Sequence, residues 1–290
     1  MKRDNTLYRV MNIVFMAAAV LFGLGILARG QFLKLPQISG SGVVLLLVCL
    51  VSFLILHGAK CLRFYLVLME QRIPFTRFLI LYLKTTFVNF LLPLKSGELY
   101  RIYSFAHETQ DVKKGFISVI LDRIFDTCVL LLFLLPFDVF YGRKLSMVTI
   151  ILGAVVVLVV LGSVFINSSY SYLNRFLILQ GGSRRTIWLL QALENFKGCY
   201  DEMTKLLKGR WLLIFLCSCV GWGFEFLLLK AMAAFFQITF GVVEFSQYIG
   251  TILQGSTESL KNEYIVVSAV CLLVCLLVAY GLRNRRAENA

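Results

Sequence analysis

Residues 75–101 read FTRFLILYLKTTFVNFLLPLKSGELYR. The apolar part of this stretch, Phe75–Leu92, is 18 residues long and stops at Pro93. Proline interrupts a helix, and the polar turn after it contains Gly97, a second residue that favours a bend. A short hydrophobic segment that ends in such a turn is typical of a chain that enters a membrane and returns. We therefore predict a re-entrant segment over residues 75–93, with Pro93 and Gly97 in its turn.

A second segment of the same kind lies near the other end of the chain. Phe240–Leu253 is short and apolar, and the polar stretch Gly255–Glu263 follows it. Short, interrupted hydrophobic segments at corresponding places in two halves are the sequence sign of inverted repeats around a site at mid-membrane. We predict a second re-entrant segment over residues 240–254. The alternative is that one segment is an ordinary span and the other an interfacial helix.

The rest of the chain is too hydrophobic for a soluble domain. Of its 290 residues, 59% are apolar and 16% are charged, whereas soluble domains have about 45–50% and about 25%. Longer apolar runs predict six crossings: Val10–Ala28, Val43–Leu68, Gly115–Phe137, Leu145–Ile166, Trp211–Phe236 and Tyr264–Leu282. The predicted fold is an all-α polytopic membrane protein, with about six transmembrane helices and two re-entrant segments arranged like inverted repeats.

Residues 1–290 are predicted to form a single integral membrane domain in two halves. The first half covers residues 1–137 and the second covers residues 211–282. A polar, basic loop between them, residues 167–210, is predicted on the cytoplasmic side. The spacing of its apolar residues, including Leu193 and Phe196, indicates an amphipathic surface helix within that loop.

Basic residues are unevenly distributed over this topology. With the N-terminus in the cytoplasm, 19 of the 29 Lys and Arg residues lie on the cytoplasmic side and 5 on the outer side. Cytoplasmic loops of membrane proteins carry such an excess, so both termini are predicted to be cytoplasmic in a multi-pass protein of the cell (plasma) membrane. The net charge of +13 is attributed to contact with anionic lipid and not with nucleic acid.

Three ionisable residues lie close together in one predicted crossing. Asp122, Arg123 and Asp126 project from one side of a helix, since residues three and four apart are neighbours. Each charge in hydrocarbon costs about 2.5–3.5 kcal/mol on insertion scales, so each requires a reason. One interpretation is a structural ion cluster that holds helices together. The other is the charged wall of a polar cavity that meets a lipid headgroup.

Arg63, Glu98 and Arg101 are further candidates for that cavity. Arg63 lies near the cytoplasmic end of its helix, where it either extends to the interface or binds phosphate with its planar fork. Glu98 and Arg101 directly follow the predicted turn, where a broken backbone exposes amide groups that can bind an anion.

Chemistry that depends on a metal or a nucleotide finds little support in the sequence. The two histidines and eight cysteines show no metal-ligand spacing. There is no phosphate-binding loop, nucleotide fingerprint or nucleophile elbow. We predict no catalytic residue, no metal site and no cofactor, and we expect no enzymatic activity.

The order of these polar residues resembles that in a known family. Arg63, the run Asn89–Pro93, the run Ser96–Arg101 and the later Asp122–Asp126 follow one another as in the membrane domain of lysylphosphatidylglycerol synthase, the multiple peptide resistance factor. The resemblance implies a free-standing, lipid-translocating domain with paired re-entrant segments and no aminoacyl-transferase domain. The second turn departs from the family's Pro-Gly-Gly-rich pattern, because residues 254–258 read QGSTE.

The predicted function is therefore that of a lipid flippase or a lipid-binding, transporter-like protein that moves a phospholipid or lipid-linked headgroup between leaflets. Its predicted headgroup-binding residues are Arg63, Glu98, Arg101, Asp122, Arg123 and Asp126. The expected partners are anionic or aminoacylated phospholipids or lipid-linked sugars. A separate synthase or glycosyltransferase and a second copy of the chain are the candidate protein partners.

Two other functions fit parts of the sequence. A membrane-embedded transferase acting on lipid-linked sugars would need a base, and Asp122 with Asp126 is the candidate pair. A scaffold that positions a separate lipid-modifying synthase needs no cavity at all. Formation of a new product by the purified protein would favour the transferase. Co-purification with a soluble partner, without lipid movement, would favour the scaffold.

The topology can be tested by placing single cysteines at Ala290 and at Ser39 and labelling them from each side of the membrane. We expect the two positions on opposite faces, because the charge asymmetry sets six full crossings with both termini inside. Labelling of both from the same face would contradict the six-crossing arrangement.

Overall fold

The computed structural model describes residues 2–29, 40–92, 96–142, 145–179, 184–254 and 259–288. Helices account for all regular structure in those ranges, as predicted for an all-α fold. The α-helices are α1 (Lys2–Arg29), α2 (Gly40–Leu68), α3 (Phe75–Leu91), α4 (Ser96–Thr109), α5 (Val112–Phe137), α6 (Met147–Leu179), α7 (Arg184–Leu207), α8 (Trp211–Phe235), α9 (Val242–Gln254) and α10 (Ser259–Glu288). A 3₁₀ turn, Met69–Gln71, follows α2, and a π-helical turn, Asp138–Gly142, follows α5.

Five helices in the described ranges are long and apolar enough to cross a membrane. These candidate spans are Thr6–Ala28, Gly40–Gln71, Met147–Leu179, Trp211–Phe235 and Asn262–Arg283. They match five of the six predicted crossings. The remaining one corresponds to α5, whose 26 residues extend roughly 39 Å and exceed a hydrocarbon core of about 30 Å. The predicted crossing within it, Gly115–Phe137, contains three charged residues, Asp122, Arg123 and Asp126.

The first predicted re-entrant segment is one leg of a helical hairpin. Arg77 near the start of α3 pairs with Glu108 near the end of α4, with Nε and Oε1 2.7 Å apart. Asn89 near the end of α3 donates a hydrogen bond of 3.0 Å to Glu98 near the start of α4. The two helices are therefore antiparallel. They contain 17 and 14 residues, so each is shorter than the hydrocarbon thickness.

The polar stretch after α3 is more regular than the sequence indicated. Residues 96–109 form α4, although their composition is polar. Of the predicted turn residues, Gly97 lies buried in the first turn of α4. Pro93 lies outside the described residues.

Two glycines allow α4 to approach its neighbours closely. A Cβ atom on Gly97 would collide with the backbone of Asn89 in α3. A Cβ atom on Gly115 in α5 would lie 2.6 Å from the backbone nitrogen of Ala106 in α4. Real Cβ atoms do not approach other atoms so closely, so the α3–α4 and α4–α5 crossings both depend on glycine.

Two aspartates organise the ends of α5. Asp111 caps the N-terminus, where its side chain accepts hydrogen bonds from the backbone amides of Lys113 and Lys114. Asp138 follows the C-terminus and accepts from the Ser146 amide at 2.8 Å and the Thr149 hydroxyl at 2.6 Å. Burial acts to raise the pKa of Asp138, but these hydrogen bonds from Thr149 and Ser146 prevail and lower it. The turn between α5 and α6 is thus stabilised by ionised Asp138 at neutral pH and loses that contribution in acid.

The predicted cytoplasmic loop over residues 167–210 is mostly helical. Helix α6 continues to Leu179, and α7 fills residues 184–207, where the sequence predicted an amphipathic surface helix. Leu206, near the C-terminal end of α7, belongs to a small buried core with Val67 of α2 and Ile214 of α8. Because Leu206 is enclosed there, α7 is attached to the membrane helices at its C-terminal end.

The second half is built around α8, which runs antiparallel to α2. Arg210, just before α8, donates hydrogen bonds to the Leu66 carbonyl near the end of α2 and to Glu70 in the 3₁₀ turn that follows. The second predicted re-entrant segment corresponds to α9, a helix of 13 residues, or roughly 20 Å. The turn in which the family pattern is altered falls on residues 255–258, outside the described residues.

Replacing Gly115 by alanine should force α4 and α5 apart. We expect Gly115→Ala to destabilise the protein by roughly 1–3 kcal/mol, the usual cost of overpacking. The matched control is Gly58→Ala, because no atom lies within 4 Å of a Cβ at that exposed position of α2. Thermal unfolding in detergent measures both, and equal melting temperatures for the two variants would contradict the close crossing.

Candidate functional site

The carboxylate of Asp122 lies at the centre of an ion-pair network between three helices. Its side chain is 1% exposed and contacts three guanidinium groups. Arg63 of α2 approaches to 2.5 Å, Arg101 of α4 to 3.2 Å and Arg123 of α5 to 3.1 Å. A single carboxylate therefore holds together α2, the α3–α4 hairpin and α5.

Asp126 lies one helical turn further along α5 and forms a second junction. Its oxygens lie 2.5 Å from Arg63 Nη1 and 3.4 Å from Arg123 Nη1. The indole nitrogen of Trp222 in α8 donates a further hydrogen bond of 3.0 Å to it. Asp126 thus links the first half of the chain to the second.

Arg63 is held between both aspartates. Its side chain is buried, and its Nη1 also donates to the Ser218 hydroxyl of α8 at 2.9 Å. The planar fork of an arginine suits two carboxylates at once, whereas a lysine offers only a point charge. Of the two interpretations from the sequence, extension to the interface is therefore wrong, because Arg63 is directed into the protein.

Glu98 and Arg101 connect the hairpin to this network. Glu98 Oε1 lies 3.2 Å from Arg123 and accepts the hydrogen bond from Asn89. Its other oxygen, Oε2, is buried and has no hydrogen-bond partner among the described residues. The guanidinium of Arg101 lies 4.3 Å from the ring centre of Phe64 and pairs with Asp122. The site thus retains one acceptor, Glu98 Oε2, that no described residue uses.

The six predicted site residues therefore come together in one cluster: Arg63, Glu98, Arg101, Asp122, Arg123 and Asp126. Three positive and three negative charges make this ion cluster neutral as a whole. Arg123 is the accessible member, with 49% of its side chain exposed, while the Glu98 side chain is 16% exposed. A ligand that reaches the cluster would meet Arg123 first.

The ion cluster is more tightly closed than the predicted wall of a cavity. Its members contact one another at 2.5–3.4 Å, which leaves no headgroup-sized space between them. Two pockets formed by described residues are lined by other side chains. A role of these six residues in headgroup binding stays a prediction, and it requires the cluster to open.

A second group of polar residues extends the ion cluster towards the second half. Lys60 Nζ lies 2.6 Å from Glu225 Oε2 of α8 and 5.0 Å from the ring centre of Trp222. The hydroxyl of Tyr264 in α10 donates to Glu225 at 3.4 Å. Two features of the sequence indicated Lys60 and Glu225. Glu225 is a carboxylate inside an apolar span, and Lys60 is a lysine one turn before Arg63.

Other contributors from α8 carried no such signal. Ser218 and Trp222 are ordinary residues of a membrane helix, and only the packing of α8 against α2 and α5 brings them to the aspartates. Lys230, which also lies in that helix, is exposed. The described residues contain no group of three potential metal ligands.

Comparison with protein families gives one match. The model of the family described as lysylphosphatidylglycerol synthase TM region matches residues 14–255, most of the chain, and all six residues of the ion cluster fall within it. Comparison with curated proteins and with solved structures gives no match.

Asp122 should be the most important carboxylate of the cluster for stability. Asp122→Asn leaves three buried or half-buried guanidinium groups to share two carboxylates, and removing one partner of a buried pair costs roughly 3–5 kcal/mol. Asp126→Asn should cost less, because Arg63 and Arg123 both keep Asp122.

The matched control is Asp201→Asn, which breaks an exposed pair with Lys197 on the surface of α7. Such a pair contributes at most about 1 kcal/mol. Thermal unfolding in detergent should rank Asp122→Asn as the least stable, then Asp126→Asn, then Asp201→Asn. The reverse order for the two cluster aspartates would show that Asp122 is not the central partner.

Proposed function

The chain belongs to the family of lysylphosphatidylglycerol synthase transmembrane regions, and from that membership we propose that it is a lipid flippase. The family and the five candidate spans make it a multi-pass membrane protein with a lipid-related function. The proposal adds the activity: movement of an anionic or aminoacylated phospholipid, or a lipid-linked headgroup, between leaflets. We further propose that it lies in the plasma membrane with both termini in the cytoplasm.

The observation that carries the proposal is a half-exposed arginine at the edge of a buried, neutral ion cluster. Arg123 is bound to three carboxylates, those of Glu98, Asp122 and Asp126. A guanidinium binds phosphate with the same planar fork that it offers to a carboxylate. An incoming phosphate can therefore replace Glu98 at Arg123 without leaving the arginine unpaired at any stage.

The displaced carboxylate can then bind the other end of an aminoacylated headgroup. Glu98 already has one buried oxygen without a hydrogen-bond partner among the described residues, and release from Arg123 frees its other oxygen to accept from a ligand. A carboxylate accepts hydrogen bonds from an ammonium group at several positions. Arg123 and Glu98 together therefore suit a headgroup that carries both a phosphate and an amine.

Movement across the membrane requires polar partners beyond this first contact. From Arg123, the polar groups continue through Asp126 to Trp222 of α8, and from there to Lys60 and Glu225. At each step along this path, the headgroup exchanges one charge-assisted contact with the protein for another. It therefore avoids the cost of an unpaired charge in hydrocarbon. The acyl chains can stay in the bilayer throughout, and no cofactor is needed.

The transferase alternative fits this geometry less well. A catalytic base must have an oxygen free to accept a proton from its substrate. Asp122 and Asp126 are instead each paired with more than one guanidinium group, which occupies their oxygens. A separate synthase or glycosyltransferase that supplies the lipid is therefore part of the proposal, as a protein partner.

The test is lipid movement in liposomes that contain the purified protein and a fluorescent phosphatidylglycerol or aminoacylated phosphatidylglycerol. A membrane-impermeant quencher reports how fast the labelled lipid changes leaflet. We expect Arg123→Gln to slow movement about tenfold, because one charge-assisted contact to the phosphate is lost. Arg123→Lys should give an intermediate rate, since it keeps the charge and loses the fork.

The matched control is Arg185→Gln, on the exposed surface of α7. A wild-type rate for Arg123→Gln, with Arg185→Gln unchanged, would contradict a role of Arg123 in the transport path. Wild-type liposomes that move lipid no faster than empty ones would favour the scaffold. Appearance of a new lipid product would favour the transferase.

A further inference from the structure

A second polar site lies at the open end of the α3–α4 hairpin, apart from the ion cluster. It is a pocket of about 400 Å³ between α1, α3, α4 and α10. None of the six cluster residues lines it. Its charged lining residues are Arg77, Lys84, Glu108 and Arg283.

Positive charge is in excess in this pocket. The carboxylate of Glu108 is already paired with Arg77, at 2.7 Å. Lys84 and Arg283 form no ion pair with any residue in the described ranges. Two cations without anionic partners therefore face the same space.

Lys84 is the most informative of these cations, because it lies well inside α3. It is nine residues from the start of that helix, or roughly 13 Å along its axis. Its Nζ donates a hydrogen bond of 2.9 Å to Asn12 Oδ1, which also accepts from the Tyr100 hydroxyl. The ammonium group is thus held in place by an amide while its charge stays unbalanced. A cation in a membrane helix without an anion is costly, so the position indicates a ligand that supplies one.

The remaining walls suit a lipid better than a soluble ion. Ile80 and Leu81 form a buried apolar part of the pocket. On the outside, α1 and α10 present exposed apolar side chains next to it, such as Ile13 and Val278. A headgroup in the pocket would leave its acyl chains room along these helices.

The pocket also lies where a lipid headgroup would be. Tyr8 near the start of α1 and Arg283 near the end of α10 both line it. The pocket therefore lies at the membrane face that holds the start of α1 and the end of α10. Tyr8 stacks on His107 with ring centres 3.9 Å apart, and aromatic side chains are enriched at that depth. In the proposed topology this is the cytoplasmic face.

We propose that this pocket binds the phosphate group of an anionic phospholipid, with Lys84 and Arg283 as its cationic partners. The shared chemistry is a phosphate anion, which either a lipid headgroup or free phosphate can supply, and the pocket walls favour the lipid. The site does not depend on the proposed flippase activity: it binds lipid at one face, whether or not the ion cluster moves it across.

The experiment measures binding of short-chain phosphatidylglycerol, short-chain phosphatidylcholine and inorganic phosphate to the purified protein in detergent. The titrations are carried out in the Arg123→Gln variant, which lacks the contact proposed at the ion cluster. Binding measured there reports on the pocket alone, so a negative result at one site does not contradict the other. We expect phosphatidylglycerol to bind more tightly than phosphatidylcholine, whose choline cation meets an excess of positive charge. Lys84→Gln should weaken phosphatidylglycerol binding about tenfold.

Two further variants make the result independent of folding defects. Lys84→Arg keeps the charge and should retain most of the affinity, and Arg283→Gln changes an exposed position and should weaken binding on its own. The matched control is Lys230→Gln, because Lys230 is an exposed lysine of α8 outside the pocket. Its affinity should equal that of the parent protein.

Competition by inorganic phosphate distinguishes the two sources of the anion. Failure of inorganic phosphate to displace phosphatidylglycerol supports the lipid site. If inorganic phosphate binds as tightly as phosphatidylglycerol, and its binding depends on Lys84, the pocket is a site for the free anion and the lipid assignment is overturned. Unchanged phosphatidylglycerol affinity in both Lys84→Gln and Arg283→Gln overturns the site itself.

Discussion

A charge inside a membrane must be neutralised by the protein itself, and in this chain that requirement falls on Asp122. Because its carboxylate contacts Arg63, Arg101 and Arg123, it fixes α2, the α3–α4 hairpin and α5 relative to one another. Asp126 extends the same constraint to α8 through Trp222. The helices of the first half are therefore tied together by a small number of directional contacts, each of which would leave a buried charge unpaired if it were broken.

The cluster was predictable from sequence because ionised residues are rare in apolar runs and each one requires a partner. Its contributors from α8 were not, since Ser218 and Trp222 occur in many membrane helices without such a role. Helix α4 was also missed, because its polar composition resembles that of a loop, although packing through Gly97 and Gly115 stabilises it. The end of α6 was missed for a similar reason. The helix continues to Leu179, whereas hydropathy alone assigns the residues from 167 onward to a loop.

The α3–α4 hairpin contributes to both polar sites of the molecule. At its closed end, Glu98 and Arg101 join the ion cluster. At its open end, Lys84 and the Arg77–Glu108 pair line the pocket next to α1 and α10. The two sites are thus joined by short, rigid helices whose crossings tolerate no side chain larger than hydrogen at two positions. Any tilt of the hairpin changes the geometry of both ends together.

The position of Trp222 gives the protein a natural optical reporter. Of the three tryptophans, Trp188 and Trp211 are 67% and 59% exposed, whereas Trp222 is buried, with its indole bonded to Asp126 and facing Lys60. A protein in which phenylalanine replaces the two exposed tryptophans would emit from the polar junction between the two halves alone. The emission wavelength of an indole depends on the polarity around it, so such a protein would register the opening of that junction without an attached dye.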